Sequence, residues 1–219
     1  MARIARVVVP HYPHHVTQRG SRRQQTFYTD DDYRSYIQTL AQFVRKYGVE
    51  IWAYCLMPNH VHLVAVPESQ QALSMCLSRA HRHYALNINK RNNWKGHLWQ
   101  ERFYSFVMDE RHLLSAVKYV ELNPVRAKLC KRPNEWPWSS ALAHLAKRDD
   151  QLVKVKPMLE RVTNWDEYLN SMITQADIDA IRKSTKTGRP AGKNDFLNEL
   201  ERLTGRKLQK EKPGPKTRR

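Results

Sequence analysis

A chain of 219 residues with 38 Lys+Arg against 21 Asp+Glu carries a formal net charge of +17 and a pI near 10.0, which points to a polyanionic partner, nucleic acid first. Three scattered cysteines with no Cys-x-x-Cys argue against a cysteine-built zinc site and suit a reducing compartment. No run of about 18 apolar residues occurs, and the apolar stretch at residues 7–9 is too short for a secretory signal; the expectation is a cytoplasmic, nucleoid-associated protein with no membrane partner.

Residues 15–20 read as a first strand, leaving through a basic loop. Arg19, Arg22 and Arg23 there are candidate DNA contacts. Thr29 or Asp30 can cap a helix running to about Lys46, with Tyr33, Tyr36, Ile37, Leu40, Phe43 and Val44 at helical spacing and Gly48 past its end. Residues 50–56 form a second strand. Met57-Pro58-Asn59 turns into a third, and the two make an antiparallel hairpin. Residues 69–89 have a long helical pattern. Arg79 and Arg82 on it, with Lys90 and Arg91, form a basic face open to DNA phosphate. His81 and His83, two apart on a helix, point in different directions and read as solvated or phosphate-contacting. Residues 102–108 give a fourth strand, with Arg102 a further candidate contact. A helix starting at Asp109 or Glu110 carries Tyr119 and stops near Asn123, because Pro124 disfavours helix at the residue before it.

The order β-α-β-β-α-β-α predicts an α+β fold. Its first six elements form a ferredoxin-like split βαβ sandwich, an antiparallel sheet with helices on one face and the other face free for substrate. After about residue 130 the composition shifts. Residues 1–145 form the core domain, 146–184 a helical extension, and 185–219 a basic tail that grips DNA. An aromatic loop at 135–140 leads into a short helix, and another helix covers about 195–203. Residues 188–219 hold ten Lys/Arg against four Asp/Glu, a net +6. Gly188-Arg189-Pro190 echoes a minor-groove-binding core, making Arg189 a candidate contact in a flexible basic arm. Trp94, Trp99, Trp136 and Trp138 read as core or loop anchors, one of which could stack on an unpaired base.

The chemistry centres on residues 57–66, Met-Pro-Asn-His-Val-His-Leu-Val-Ala-Val. Residues two apart in a strand face one side, so His60 and His62 project two imidazoles together. A lone His-x-His is more often structural than functional. Tyr119 and Asn123 add to it, since four apart on a helix they share a face. An amide oxygen beside two imidazoles, with positions left open, suits Mg²⁺ or Mn²⁺ holding water and phosphate.

Pro58-Asn59-His60-Val61-His62-Leu63-Val64 resembles the HUH motif of single-tyrosine transposases, and residues 119–127, Tyr-Val-Glu-Leu-Asn-Pro-Val-Arg-Ala, resemble their tyrosine helix. Residues 14–20, 98–103 and 136–140 are similar to the REP-associated tyrosine transposases within that family, relatives linked to repetitive extragenic palindromes. The resemblance covers about residues 10–145. It implies that His60, His62 and Asn123 hold the metal, that Tyr119 is the nucleophile, and that single-stranded or hairpin DNA of REP type is cut through a 5′-phosphotyrosine intermediate. Arg126, in the tyrosine helix, is a further candidate DNA contact, and the protein is expected to be a monomer or a homodimer. The chain departs from the pattern at Glu101, where a small residue, often glycine, is expected. A non-catalytic protein recognising palindromic repeats is the alternative from a different class, and an RNA-directed role is a third.

Overall fold

Four short segments build one antiparallel sheet. In the computed structural model, which describes residues 4–209, β1 (His14–Arg19), β2 (Val49–Met57), β3 (His60–Pro67) and β4 (Tyr104–Val107) lie in the order β2-β3-β1-β4. β2 and β3 are apolar along almost their whole length because both sheet faces are covered. Neighbours are antiparallel throughout. With α1 (Asp30–Tyr47) and α2 (Ala72–Arg91) between strands, this is the expected ferredoxin-like α+β topology. Local chemistry sets the boundaries. Thr29 and Asp32 form a reciprocal capping box at the start of α1, acidic residues occupy its first turn, and Gly48 closes it at φ 61°.

One face of the sheet, with Val16, Leu56, Val61 and Leu63, is buried by Tyr36 and Leu40 of α1 and Leu73, Leu77 and Tyr84 of α2. His81 belongs to this stripe, four residues after Leu77 and three before Tyr84. It is therefore buried, with Nε2 2.9 Å from the Tyr36 hydroxyl. This corrects its expected solvated position; His83 is exposed as expected.

The opposite face is not free. α3 (Glu110–Glu121) lays Leu113, Ala116, Val117 and Val120 against Ala53, Cys55, Val64 and Phe106. α3 has an apolar stripe of its own, and the second sheet face is the surface that buries it. The same packing carries Tyr119 onto the sheet.

After α3 the described residues form α4 (Asn123–Arg126), α5 (Ala141–Leu145), α6 (Lys156–Leu159), α7 (Trp165–Asn170), α8 (Gln175–Thr187) and α9 (Asn194–Thr204), of which α4, α7 and α8 pack on α3. α8 runs through residue 185 and ends at Gly188, φ 70°. Beyond it Ala191 bridges Met108, and Leu200 and Leu208 bury against Val7, Val9 and Val107. Over residues 185–209, then, the flexible arm expected from composition is a packed segment, because Leu200 and Leu208 give it an apolar side to bury. The basic run at 210–219 lies outside the described residues. No helix among the described residues is long and apolar enough to cross a membrane.

Candidate active site

Strand register places the histidines. Arg19 pairs with His60 and Thr17 with His62 across β1 and β3, while Met57 and Cys55 oppose the same two residues from β2. Directly opposed residues share a face, so both imidazoles project on the side that α3 covers. Burial pushes the His60 imidazole down to about 4, with Arg19 adding to the effect. Burial also holds His62 well below its ordinary range, helped by His60 and His15. Both rings are therefore neutral at pH 7, the form that ligates a metal. Each has its Nδ1 engaged. His60 Nδ1 lies 2.6 Å from Asn59 Oδ1, whose Nδ2 donates to the Arg23 carbonyl at 3.1 Å. An amide oxygen only accepts, so His60 carries its proton on Nδ1 and keeps Nε2 as a lone pair. His62 Nδ1 lies 3.1 Å from His15 Nε2.

α3 brings the phenol. Its last residue is Glu121; Leu122 turns, and Asn123 opens α4 with Pro124 in the first turn, where a missing N–H is no loss. Helical hydrogen bonds cross this turn, Leu122 N to the Lys118 carbonyl and Arg126 N to the Leu122 carbonyl. Tyr119 and Asn123 consequently stay on one side, as their spacing predicts. The Tyr119 ring meets His62 edge-on at 5.6 Å and His15 at 6.2 Å. The Arg126 guanidinium sits 3.8 Å over its centre and donates to the Tyr119 carbonyl at 3.0 Å.

Behind the tyrosine lies a buried carboxylate. Glu121 accepts from the Ser140 hydroxyl at 2.5 Å, from His144 Nδ1 at 2.7 Å and from Trp165 Nε1 at 3.0 Å. These bonds tie the end of α3 to α5 and α7.

His60, His62, Tyr119 and Asn123 line one cavity of about 790 Å³, together with Arg19, Arg23 and Arg126. Arg182 and Lys186 of α8 complete a basic wall on which no Asp or Glu stands. Among the described residues no group of three or more His, Cys, Asp or Glu is placed to hold a metal ion, so a ligand set here needs the Asn123 oxygen beside the two imidazoles. Two neutral rings, that of His60 with a free Nε2, a neighbouring amide and space for water and phosphate fit a divalent cation.

The other candidates lie outside this cavity. Arg22 and Arg102 line an adjoining depression, and Arg82 another, again with Arg102. Arg79 is exposed on α2. Arg189 donates to the Leu208 carbonyl at 2.7 Å, serving the fold of its own segment. Trp99, Trp136 and Trp138 anchor loops: Nε1 of Trp99 donates to the His81 carbonyl, that of Trp136 to the Leu56 carbonyl, and Trp138 stacks on Tyr33 at 4.7 Å. Sequence reasoning missed His15, Glu121, Arg182 and Lys186. None carried a signal in spacing alone: His15 stands two residues before Thr17 on the strand face that opposes the histidine pair, and the register that sets it there is a tertiary feature.

Known proteins share this arrangement of elements. The family model for IS200-like transposases matches residues 8–123, a span that holds His60, His62, Tyr119 and Asn123 and stops short of α8. A REP-associated tyrosine transposase of Escherichia coli K12 is 25% identical over 121 residues, covering 55% of this chain and 70% of that protein. A Haemophilus influenzae protein provisionally assigned to the same group is 26% identical over 131 residues, covering 54% of this chain and 73% of that protein. The solved structure of a REP-associated tyrosine transposase bound to a REP hairpin superposes with a TM-score of 0.57 at 20% identity, covering 71% of this chain and 93% of that one. That likeness speaks to the fold.

Proposed function

This chain belongs to the IS200-like transposase family, and we propose that it is a metal-dependent endonuclease and strand transferase acting on single-stranded or hairpin DNA of the repetitive extragenic palindrome type. The observation that carries the reading is the convergence of Tyr119, His60, His62 and Asn123 on one cavity with a basic wall and no carboxylate. The REP hairpin held by the solved relative supports the substrate class.

In this reading the Tyr119 oxygen attacks a phosphorus of the strand in line. The Tyr–O–P bond forms as the phenol gives its proton to water, the bond from phosphorus to the 3′ oxygen breaks, and the departing 3′ oxygen takes a proton from water and leaves as a hydroxyl. The product is a 5′-phosphotyrosine, which keeps the phosphodiester energy for rejoining ends. Arg126 orients the phenol ring by lying over it and bonding its carbonyl. Arg19, Arg23, Arg182 and Lys186 bind phosphates on either side. A Mg²⁺ or Mn²⁺ ion held by His60, His62 and Asn123 would withdraw charge from the scissile phosphate and orient it. A protonated phenol is a weak nucleophile, so positioning and charge carry the rate.

The test is a denaturing gel after incubation with labelled hairpin DNA and Mn²⁺ or Mg²⁺. A slow-migrating protein–DNA adduct is expected, abolished by Tyr119→Phe with binding retained and abolished by EDTA. An adduct that persists in Tyr119→Phe removes the assignment of the nucleophile. Tight hairpin binding with no adduct under any metal favours a non-catalytic palindrome-binding protein.

A further inference from the structure

A series of depressions leads out of the Tyr119 cavity. Gln100 lines that cavity and also a second depression of about 760 Å³. Ser21, Arg22 and His97 line the second and a third, of about 470 Å³, which includes Trp94. Trp94 is 46% exposed, whereas every other tryptophan of the chain is buried or half-buried. It belongs to none of the buried apolar clusters among the described residues. Its ring neighbour is Tyr28, 37% exposed, in an edge-on contact at 5.6 Å.

The loop that presents Trp94 is built, not loose. The Trp94 N–H donates to the Asn89 carbonyl, and the Asn89 side chain donates to the Gly96 carbonyl at 2.9 Å. The Ser21 hydroxyl fastens the His97 carbonyl at 2.8 Å, and Ser21 N–H the Leu98 carbonyl at 2.9 Å. Asn93 and Gly96 take left-handed backbone, φ 53° and 98°, to make the turn. The path is basic: Arg22, Lys95 and Arg102 stand along it. Its carboxylate, Glu101, accepts from the Tyr104 hydroxyl at 3.0 Å.

We propose that Trp94 is a stacking platform for an unpaired nucleobase of the DNA strand that leaves the Tyr119 cavity past Gln100 and Arg22. This rests on the DNA-processing reading above. An exposed indole offers a π-face that any base can use, and flanking cations take the phosphates, the combination that recognises single strands with little sequence preference. The subsite lies in the segment joining α2 to β4, and its proposed occupant is the strand outside the hairpin, because only there are bases unstacked and available.

The test uses the full chain in a Tyr119→Phe background, so that no strand is consumed, and compares a hairpin carrying a single-stranded extension with the same hairpin blunt. Trp94→Ala is expected to weaken binding of the extended hairpin about tenfold and to leave the blunt one within about twofold, with Trp94→Phe recovering most of the loss. The salt dependence stays unchanged, because no charge is removed. With 2-aminopurine walked along the extension, one position is quenched by the chain bearing Trp94 and released in Trp94→Ala. Equal affinity of the two chains for the extended hairpin overturns the platform, as does an equal weakening on both hairpins, which marks a structural role. If the chain with Tyr119 intact forms the DNA adduct while Trp94→Ala changes nothing, only the platform falls; if it binds neither hairpin, the DNA reading falls with it. Quenching by an RNA extension and none by DNA overturns the assignment of the strand.

Discussion

Nε2 of His15 lies 3.1 Å from Nδ1 of His62, and the other nitrogen of His15 is buried without a partner. One proton serves the contact. For His62 to offer its Nε2 lone pair outward, its Nδ1 must hold that proton and donate it to His15, which then carries its own proton on the orphaned Nδ1. A buried, unpaired N–H costs about 1–3 kcal/mol, so this pair of tautomers is disfavoured by about that amount unless a cation on the His62 lone pair offsets it. His15→Gln, which still offers an acceptor oxygen, is expected to hold Mn²⁺ nearly as well as the parent. His15→Leu is expected to lose roughly 10–100-fold in Mn²⁺ affinity, read directly by electron paramagnetic resonance without DNA. Parental affinity in His15→Leu would remove the positioning role.

The cations of α8 give a second prediction. Arg182 and Lys186 both line the Tyr119 cavity, although α8 lies outside the family-matched span. A cation that no longer meets its phosphate lowers the slope of log affinity against log salt by about 0.7 on single strands and about 0.9 on duplex. Arg182→Ala and Lys186→Ala are each expected to flatten the slope by about that amount, and the double variant by about twice it. A chain ending at Lys183 also removes Thr185 and Lys186 from the cavity wall and Leu200 and Leu208 from their cluster with Val7 and Val9. It is expected to be less stable and to bind weakly at low salt, measured by thermal melts and salt titrations. An unchanged slope in the double variant would place the phosphates elsewhere.

What is legible in the sequence follows from the range of each interaction. The His60–His62 pair and the Tyr119–Asn123 pair are readable because strand and helix periods are local. His81 is readable too, by its place in the Leu77–Tyr84 stripe, but its polar side chain outweighs its position. The approach of His15 to His62 depends on the register between β1 and β3, and the arrival of Arg182 depends on where α8 docks; neither follows from spacing. Glu101 is instructive in the other direction. It adopts φ 53°, a left-handed conformation that costs a side-chain-bearing residue about 1 kcal/mol and a glycine almost nothing, which explains why the resemblance leads one to expect a small residue there.

Acid should unfold the protein through its buried histidines. Burial pushes His14 down to about 4 and His81 down to about 3, against about 6.5 in an unfolded chain. The unfolded state therefore binds protons that the folded state refuses. Their stabilisation is complete above about pH 6.5 and is lost as pH falls toward 4 and 3, at about 1.4 kcal/mol per pH unit for each site. His81→Gln keeps a polar partner for Tyr36 and removes one titration. Urea melts at pH 7 and at pH 4.5 should show a smaller difference for His81→Gln than for the parent, and an equal difference would mean that His81 protonates without unfolding.

Glu121 stands between Tyr119 and Asn123 in sequence and is fully buried. Its carboxylate receives Ser140, His144 and Trp165, and the far nitrogen of His144 has no partner of its own. Removing the acceptor leaves the His144 and Trp165 donors desolvated and unpaired, while the Ser140 hydroxyl keeps the Tyr54 carbonyl at 3.3 Å, so Glu121→Leu is expected to cost about 3–5 kcal/mol. Glu121→Gln keeps one acceptor oxygen but turns an N–H₂ toward another donor, and about 1–3 kcal/mol is expected. Leu142→Ala, at a half-exposed neighbour on α5, should change stability by less than about 0.5 kcal/mol. The measurement is chemical denaturation of the three variants beside the parent. Because the same carboxylate fixes the end of α3, Glu121→Gln should also slow DNA-adduct formation under conditions where circular dichroism shows it folded. Loss of stability with an unchanged adduct rate would confine Glu121 to the core and leave the placement of Tyr119 to Arg126 and the sheet.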